Sequence, residues 1–149
     1  MKSKDMTEEK DKRLSEREKK DRQIEMLLAT MWNFYKQGKD EVSISEFQES
    51  ILEFQKEFPE LGYTYSNRFL YSLDVLTDLK ELSHNGYIRQ YVYRHDAFLP
   101  KRFITLAPLG KSRGVKILDT LSRDESQGLK RAVEKAIKNY NNRWRLWSR

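Results

Sequence analysis

Leu79-Lys80-Glu81-Leu82-Ser83-His84-Asn85-Gly86-Tyr87-Ile88-Arg89-Gln90-Tyr91-Val92-Tyr93 is the stretch on which the fold turns. Up to His84 the apolar residues recur at helical spacing. From Tyr87 onward the run is aromatic and β-branched with a period of two, which predicts a strand. Asn85-Gly86 marks the boundary, because glycine enters the left-handed conformation that ends a helix without a Cβ clash. The helix extends back to about Asn67, with Leu70, Leu73, Leu76, Leu79 and Leu82 stepping by three around one broad side and Phe69 and Val75 filling it in. These leucines, Leu73, Leu76 and Leu79 among them, are expected to be buried. Beyond Tyr93 a polar stretch from Arg94 to Lys101 is long enough for an open hairpin, and Arg102-Phe103-Ile104-Thr105-Leu106 supplies its second strand.

On the N-terminal side, Ile24, Leu27, Leu28, Met31 and Tyr35 predict a helix from about Asp21 to Gln37, stopped by Gly38. Ser43-Ile44-Ser45-Glu46 is a capping box, in which the serine hydroxyl and the Glu46 carboxylate each serve the other's backbone N–H. The helix that follows carries an apolar stripe of Phe47, Ile51, Phe54 and Phe58 and, on another face, an acidic stripe of Glu46, Glu49, Glu53 and Glu57. Pro59 and Gly62 break the chain, and residues 63–66 turn it. On the far side of the hairpin, Pro108 suits the first position of a helix running to about Leu121. Ser122 and Glu125 form a second capping box, and Leu129, Val133, Ala136, Ile137 and Tyr140 share one face of the last helix. Residues 2–22 mix lysine, arginine, glutamate and aspartate with little to bury, and predict a frayed helix or disordered arm, with Glu9–Arg13 and Glu16–Lys20 as helical charge pairs. The expected fold is α+β, mainly α: an arm over 1–22, a body over 23–121 and a C-terminal helix with a basic aromatic tail over 122–149.

Three helices followed by a two-stranded hairpin resemble the winged helix-turn-helix superfamily. The wording is similar too. Leu79 to Ile88 resembles the L-x-x-L-x-x-x-G-x-I passage from third helix into wing. Ile104-Thr105-Leu106-Ala107-Pro108-Leu109-Gly110 resembles the I-T-L-T-x-x-G that closes the wing, with Ala107 where a serine or threonine cap is usual. The resemblance covers about residues 24–121. In DNA-binding members of such a family the third helix enters the major groove and the wing meets the backbone or minor groove. The third helix and helical C-terminus are also similar to SocA-type antitoxin or adaptor proteins, a likeness that carries no residue role with it.

Charge is unevenly spread. Residues 1–22 hold 9 basic and 7 acidic side chains, residues 23–85 hold 5 and 11, residues 86–122 hold 7 and 2, and residues 123–149 hold 8 and 3, within a net charge of +6. A polyanion would be drawn to the second half. Cysteine is absent, which removes disulfides and thiolate chemistry. No secretory signal and no apolar run of membrane-spanning length is present, so a cytoplasmic protein without a membrane partner is expected. His84 and His95 stand in no metal-ligand spacing. Gly110-Lys111-Ser112 lacks the glycine five positions earlier, where Thr105 stands, so no phosphate-binding loop is formed. No catalytic, metal or cofactor site is expected, and the chain is not expected to be an enzyme.

Two readings of different class follow. In the first the protein binds DNA through its wing and basic C-terminal helices, as a transcriptional or mobile-element regulator. Arg89, Arg94, Lys101 and Arg102, interleaved with Tyr91, Tyr93 and Phe98, form a basic wing that Lys111, Arg113 and Lys116 continue. Leu129, Val133, Ile137, Tyr140, Trp144 and Trp147 would pair two copies as a homodimer. In the second it is an adaptor. On a helical wheel Asn67, Tyr71, Asp74, Asp78, Glu81 and Asn85 lie opposite the leucines, and Tyr71, Asp74, Asp78 and Glu81 would face a basic protein partner. Three carboxylates and no base on that face weigh against ordinary major-groove contact.

Overall fold

The computed structural model describes residues 2–66, 71–93 and 101–147, with side chains for 15–66, 71–92 and 101–143. Five helices and three strands follow in the order α1 (Lys2–Lys36), β1 (Val42–Ser43), α2 (Ile44–Glu57), α3 (Leu73–His84), β2 (Ile88–Tyr93), β3 (Lys101–Leu106), α4 (Pro108–Thr120) and α5 (Arg123–Trp147), with a short 3₁₀ turn at Pro59–Leu61. Three helices and a hairpin, with further helices behind, match the winged-helix layout and the mainly-α expectation.

α1 is the central post. Met26 to Met31 are buried without a break and Phe34 is fully buried, since α2, α3, α4 and α5 all touch it. The helix stops where Gly38 turns to a φ of +90° and the Lys39 and Gly38 amides bond back to Phe34 and Tyr35, the Schellman pattern that satisfies last-turn carbonyls. The charged N-terminal segment is helical and continuous with this post. Its inner end is fastened: Lys20 reaches Asp78 on α3 at 2.9 Å, where Glu16 is the partner that local spacing suggests, and Arg22 reaches Glu125 on α5.

The capping box at Ser43 and Glu46 is present, and Ser122 with Glu125 forms the second one at 3.1 Å in each direction. At the first of these boxes, β1 is an element that sequence patterning does not reveal. Its two residues pair antiparallel with β3, Val42 with Ile104 and Ser43 with Phe103, so the expected two-stranded wing belongs to a three-stranded sheet of order β1-β3-β2. A two-residue strand has no periodicity to detect; it forms because Ser43 already holds extended backbone as the N-cap of α2.

α3 starts later than expected. Residues 67–70 lie outside the described residues, and Tyr71 and Ser72 are not helical. The buried Gln48 amide brackets Ser72, donating to its carbonyl at 3.0 Å and accepting from its N–H at 3.2 Å. Ser72 is thereby held extended, and its hydroxyl caps Val75. The buried face is Val75, Asp78, Leu79 and Leu82, the i, i+3, i+4, i+7 set of a 3.6-residue period. The leucine ladder in steps of three drifts off that face, so the expected burial fails for Leu73, which is 71% exposed, and Leu76 is only half-buried.

The α5 stripe is a second correction. Leu129, Ala132, Val133 and Ala136 are buried within the single chain, where α5 lies along α2. Leu129 and Val133 are therefore core rather than a surface for a second copy. Ile137 is partly buried on the same core, Tyr140 takes Lys39 over its ring at 4.6 Å, and the side chains of Trp144 and Trp147 lie outside the described residues.

Candidate nucleic-acid interface

The wing's register sets its two faces. Ile88 pairs with Leu106, Gln90 with Ile104 and Val92 with Arg102; Arg89 pairs with Thr105, Tyr91 with Phe103 and Tyr93 with Lys101. Directly paired residues share a face of the sheet. The first set is buried at its base, at Ile88, Ile104 and Leu106, and exposed toward the tip, at Val92 and Arg102. The second set is outward: Arg89 and Lys101 are exposed, Tyr91 is 40% exposed and Phe103 is half-buried. Tyr91 thus stands on a basic and aromatic face rather than in the core. Arg94, His95 and Phe98 lie outside the described residues.

The sequence-derived cations divide into two groups. Arg89, Lys101 and Arg102 stay on the wing, Arg102 on the face toward the α3 groove and Arg89 and Lys101 on the opposite face. Lys111 and Arg113 turn the other way on α4, toward α1: the Lys111 ammonium sits 4.3 Å from the centre of the Tyr35 ring, and Arg113 lies 3.9 Å from Glu25. Two glycines let α4 pack this closely: a Cβ on Gly114 would come within 3.1 Å of the Trp32 side chain of α1, and one on Gly110 within 2.0 Å of the Tyr87 carbonyl oxygen at the start of the wing.

The acidic face expected on α3 is not one surface. Asp78 is 3% exposed, accepts the Tyr63 hydroxyl at 2.7 Å and receives Lys20 at 2.9 Å. Burial, then the Asp78 carboxylate beside it, push the Tyr63 hydroxyl far above its ordinary range, so it serves as a fixed donor. Asp74 and Glu81 remain exposed, with Tyr71 at 39%. The ridge diametrically opposite the core is Leu73, Thr77, Lys80 and His84, all exposed. Asp74 and Glu81 lie on one flank of it. On the other flank Leu76 and Ser83 slope into a groove toward the wing.

That groove is lined by Ile44 from α2, Leu76, Thr77, Lys80 and Ser83 from α3, and Gln90 and Arg102 from the wing. It carries a cation on each wall and, among the described residues, no carboxylate in its lining. Lys80, Thr77 and Gln90 are the residues that sequence reasoning passed over. A wheel centred on Val75, Leu79 and Leu82 would have placed Lys80 outward, but Asp78 gives no sign of burial in its own neighbourhood.

The basic charge of α5 goes elsewhere. Glu49, Glu53 and Glu57 of α2 face Arg143, Lys135 and Arg131 of α5 as an antiparallel ladder, at 2.9 Å for Lys135–Glu53 and 2.8 Å for Arg131–Glu57. Asn139 also donates to Glu49. Burial acts to raise the Glu53 pKa, but hydrogen bonds from Lys56 and Lys135 outweigh it and hold the carboxyl below its ordinary range. Glu46, by contrast, is pushed up by burial despite Lys39 beside it.

Among the described residues no three His, Asp or Glu side chains converge to hold a metal ion, and no helix is long and apolar enough to cross a membrane. Compared with models of protein families, with curated proteins and with solved structures, the chain gives no match, so its likeness to the winged-helix superfamily is one of layout alone.

Proposed function

We propose that this chain is a winged-helix DNA-binding protein, a transcriptional or mobile-element regulator, whose duplex contact is the outward ridge of α3 together with the wing. The observation that carries the proposal is the groove between them, walled by Lys80 and Arg102, with no carboxylate among the described residues of its lining. A helix beside a β-hairpin, with cations on both, suits a duplex whose major groove takes the helix and whose phosphates take the flanking charges. Burial of Asp78 supports this reading, because it withdraws one of the three carboxylates that opposed it. Arg89 and Lys101 add positive charge on the opposite face of the wing, and Arg94 follows β2 in the sequence. Lys111, Arg113 and the ladder cations of α5 take no part.

The test is a titration of the full chain against a random duplex at two salt concentrations, followed by fluorescence anisotropy. Replacing Lys80 and Arg102 with alanine weakens binding on every sequence alike and lowers the slope of log affinity against log salt by about 0.9 for each phosphate no longer neutralised. A double variant that binds like the parent at both salts removes the groove as the contact. The adaptor reading, in which Tyr71, Asp74 and Glu81 meet a basic protein, gains if the chain binds no duplex at low salt and Asp74→Asn with Glu81→Gln abolishes capture of such a partner.

A further inference from the structure

The outward surface over the first turns of α3 is apolar where its later turn is charged. Leu73, the first helical residue, is 71% exposed, and Tyr71 just before it is 39% exposed. Thr77 is one turn on, and its hydroxyl donates to the Leu73 carbonyl at 3.0 Å. The donor of that side chain is spent on its own helix, so what it offers a partner is its methyl group and an acceptor oxygen. Leu76, half-buried, borders the same patch. No arginine, asparagine or glutamine stands on this part of the helix between Tyr71 and Lys80, so it lacks the side chains that read guanine or adenine edges through paired hydrogen bonds.

A single exposed leucine is ordinary on a protein surface, whereas apolar groups gathered into one patch mark a binding surface. This patch stands at the end of the helix that, in a helix docked in the major groove, approaches the base edges. One base-pair feature in that groove is apolar, the C5-methyl group of thymine. Lys80 and Arg102 flank the patch on the wing side, placed for the phosphates on either side of such a contact. Asp74 lies about 100° round the helix from Leu73, on the flank away from the wing.

We infer that Tyr71, Leu73 and the Thr77 methyl form an apolar reading head for thymine methyl groups, giving the protein a preference for A·T-containing duplex over G·C duplex. This inference rests on the duplex-binding reading above and adds to it the chemical feature that is recognised.

The test uses the full chain and four duplexes of equal length: alternating A·T, the same with deoxyuridine for thymine, alternating G·C, and G·C with 5-methylcytosine. Removing the thymine methyl lowers affinity by about fourfold for each methyl group that the patch covers, and methylating cytosine raises it, since both groups project into the same groove. Leu73→Ala, whose fold is checked by circular dichroism, binds the thymine and uracil duplexes equally and keeps the salt slope of the parent. Equal affinity of the parent for all four duplexes, with a normal salt slope, overturns the reading head and leaves duplex binding standing. Absence of binding to any duplex at low salt overturns both, and returns the patch to a protein partner.

Discussion

The two long sides of this molecule handle charge in opposite ways. Along α2 and α5, acidic and basic side chains meet each other: Glu49, Glu53 and Glu57 are matched by Arg143, Lys135 and Arg131. Between α3 and the wing, Lys80 and Arg102 border an open groove whose described lining residues include no carboxylate. In the sequence both sides look alike, as blocks of one sign. A charge block therefore points to a ligand only after its intramolecular partner has been looked for. The acidic middle of the chain and its basic C-terminus attract one another, and Lys80 and Arg102 are left facing the groove. Surface pairs of the ladder kind contribute little each, so their consequence is the surface charge they remove from view as much as the stability they add.

The same residue type on the two sides gives the widest separation. Leu129 on α5 is fully buried and Leu73 on α3 is mostly exposed. Leu129→Ala should destabilise by about 2–5 kcal/mol, and Leu73→Ala should stay within about 0.5 kcal/mol of the parent. Urea unfolding followed by circular dichroism measures both. A large loss at Leu73 would place that side chain in the core and erase the contrast.

The second test is within α3. Asp78→Ala leaves the buried Tyr63 hydroxyl without its acceptor and Lys20 without its partner, and should cost about 1–3 kcal/mol. Asp74→Ala, at an exposed position, should cost far less. Thermal melts of the pair decide whether the acidic residues of α3 are one surface, as their spacing suggests, or two environments. Equal melting temperatures would restore the single acidic face.

The smallest effect is the ladder itself. Because Glu53 in the ladder, like Glu125 beside Arg22, is held below the ordinary carboxylate range, its contribution is present above the unfolded-state value of about 4.5 and is lost as pH falls through the lowered folded value. Glu46, with its raised pKa, acts in the opposite sense and shallows the loss. Glu53→Gln should cost about 0–1 kcal/mol at neutral pH and should flatten the acid limb of a stability–pH curve. An unchanged acid limb would show that the ladder is not coupled to folding.

How far the fold was legible follows the range of the interactions that make it. Ser43 with Glu46, Ser122 with Glu125, and the glycines at 38 and 86 mark their boundaries through bonds spanning a few residues, and each boundary stands where the sequence puts it. The switch from helical to alternating spacing at Gly86 likewise locates the wing. The α3 start was not legible, because it is set by Gln48, 24 residues away from Ser72. Nor was the outward ridge, since the leucine spacing competes with a buried carboxylate whose partners stand at Tyr63 and Lys20.

The helices, the hairpin and their caps are thus written in the chain itself, since they depend on backbone chemistry that neighbouring residues supply. Which charges are matched within the molecule was settled by the folded arrangement alone. Lys20 and Asp78 are 58 residues apart, and Glu49 and Arg143 are 94 apart; nothing local marks either as paired. Electrostatic attraction acts through space, and α1 and α5 bring these groups together only when they close on the same core.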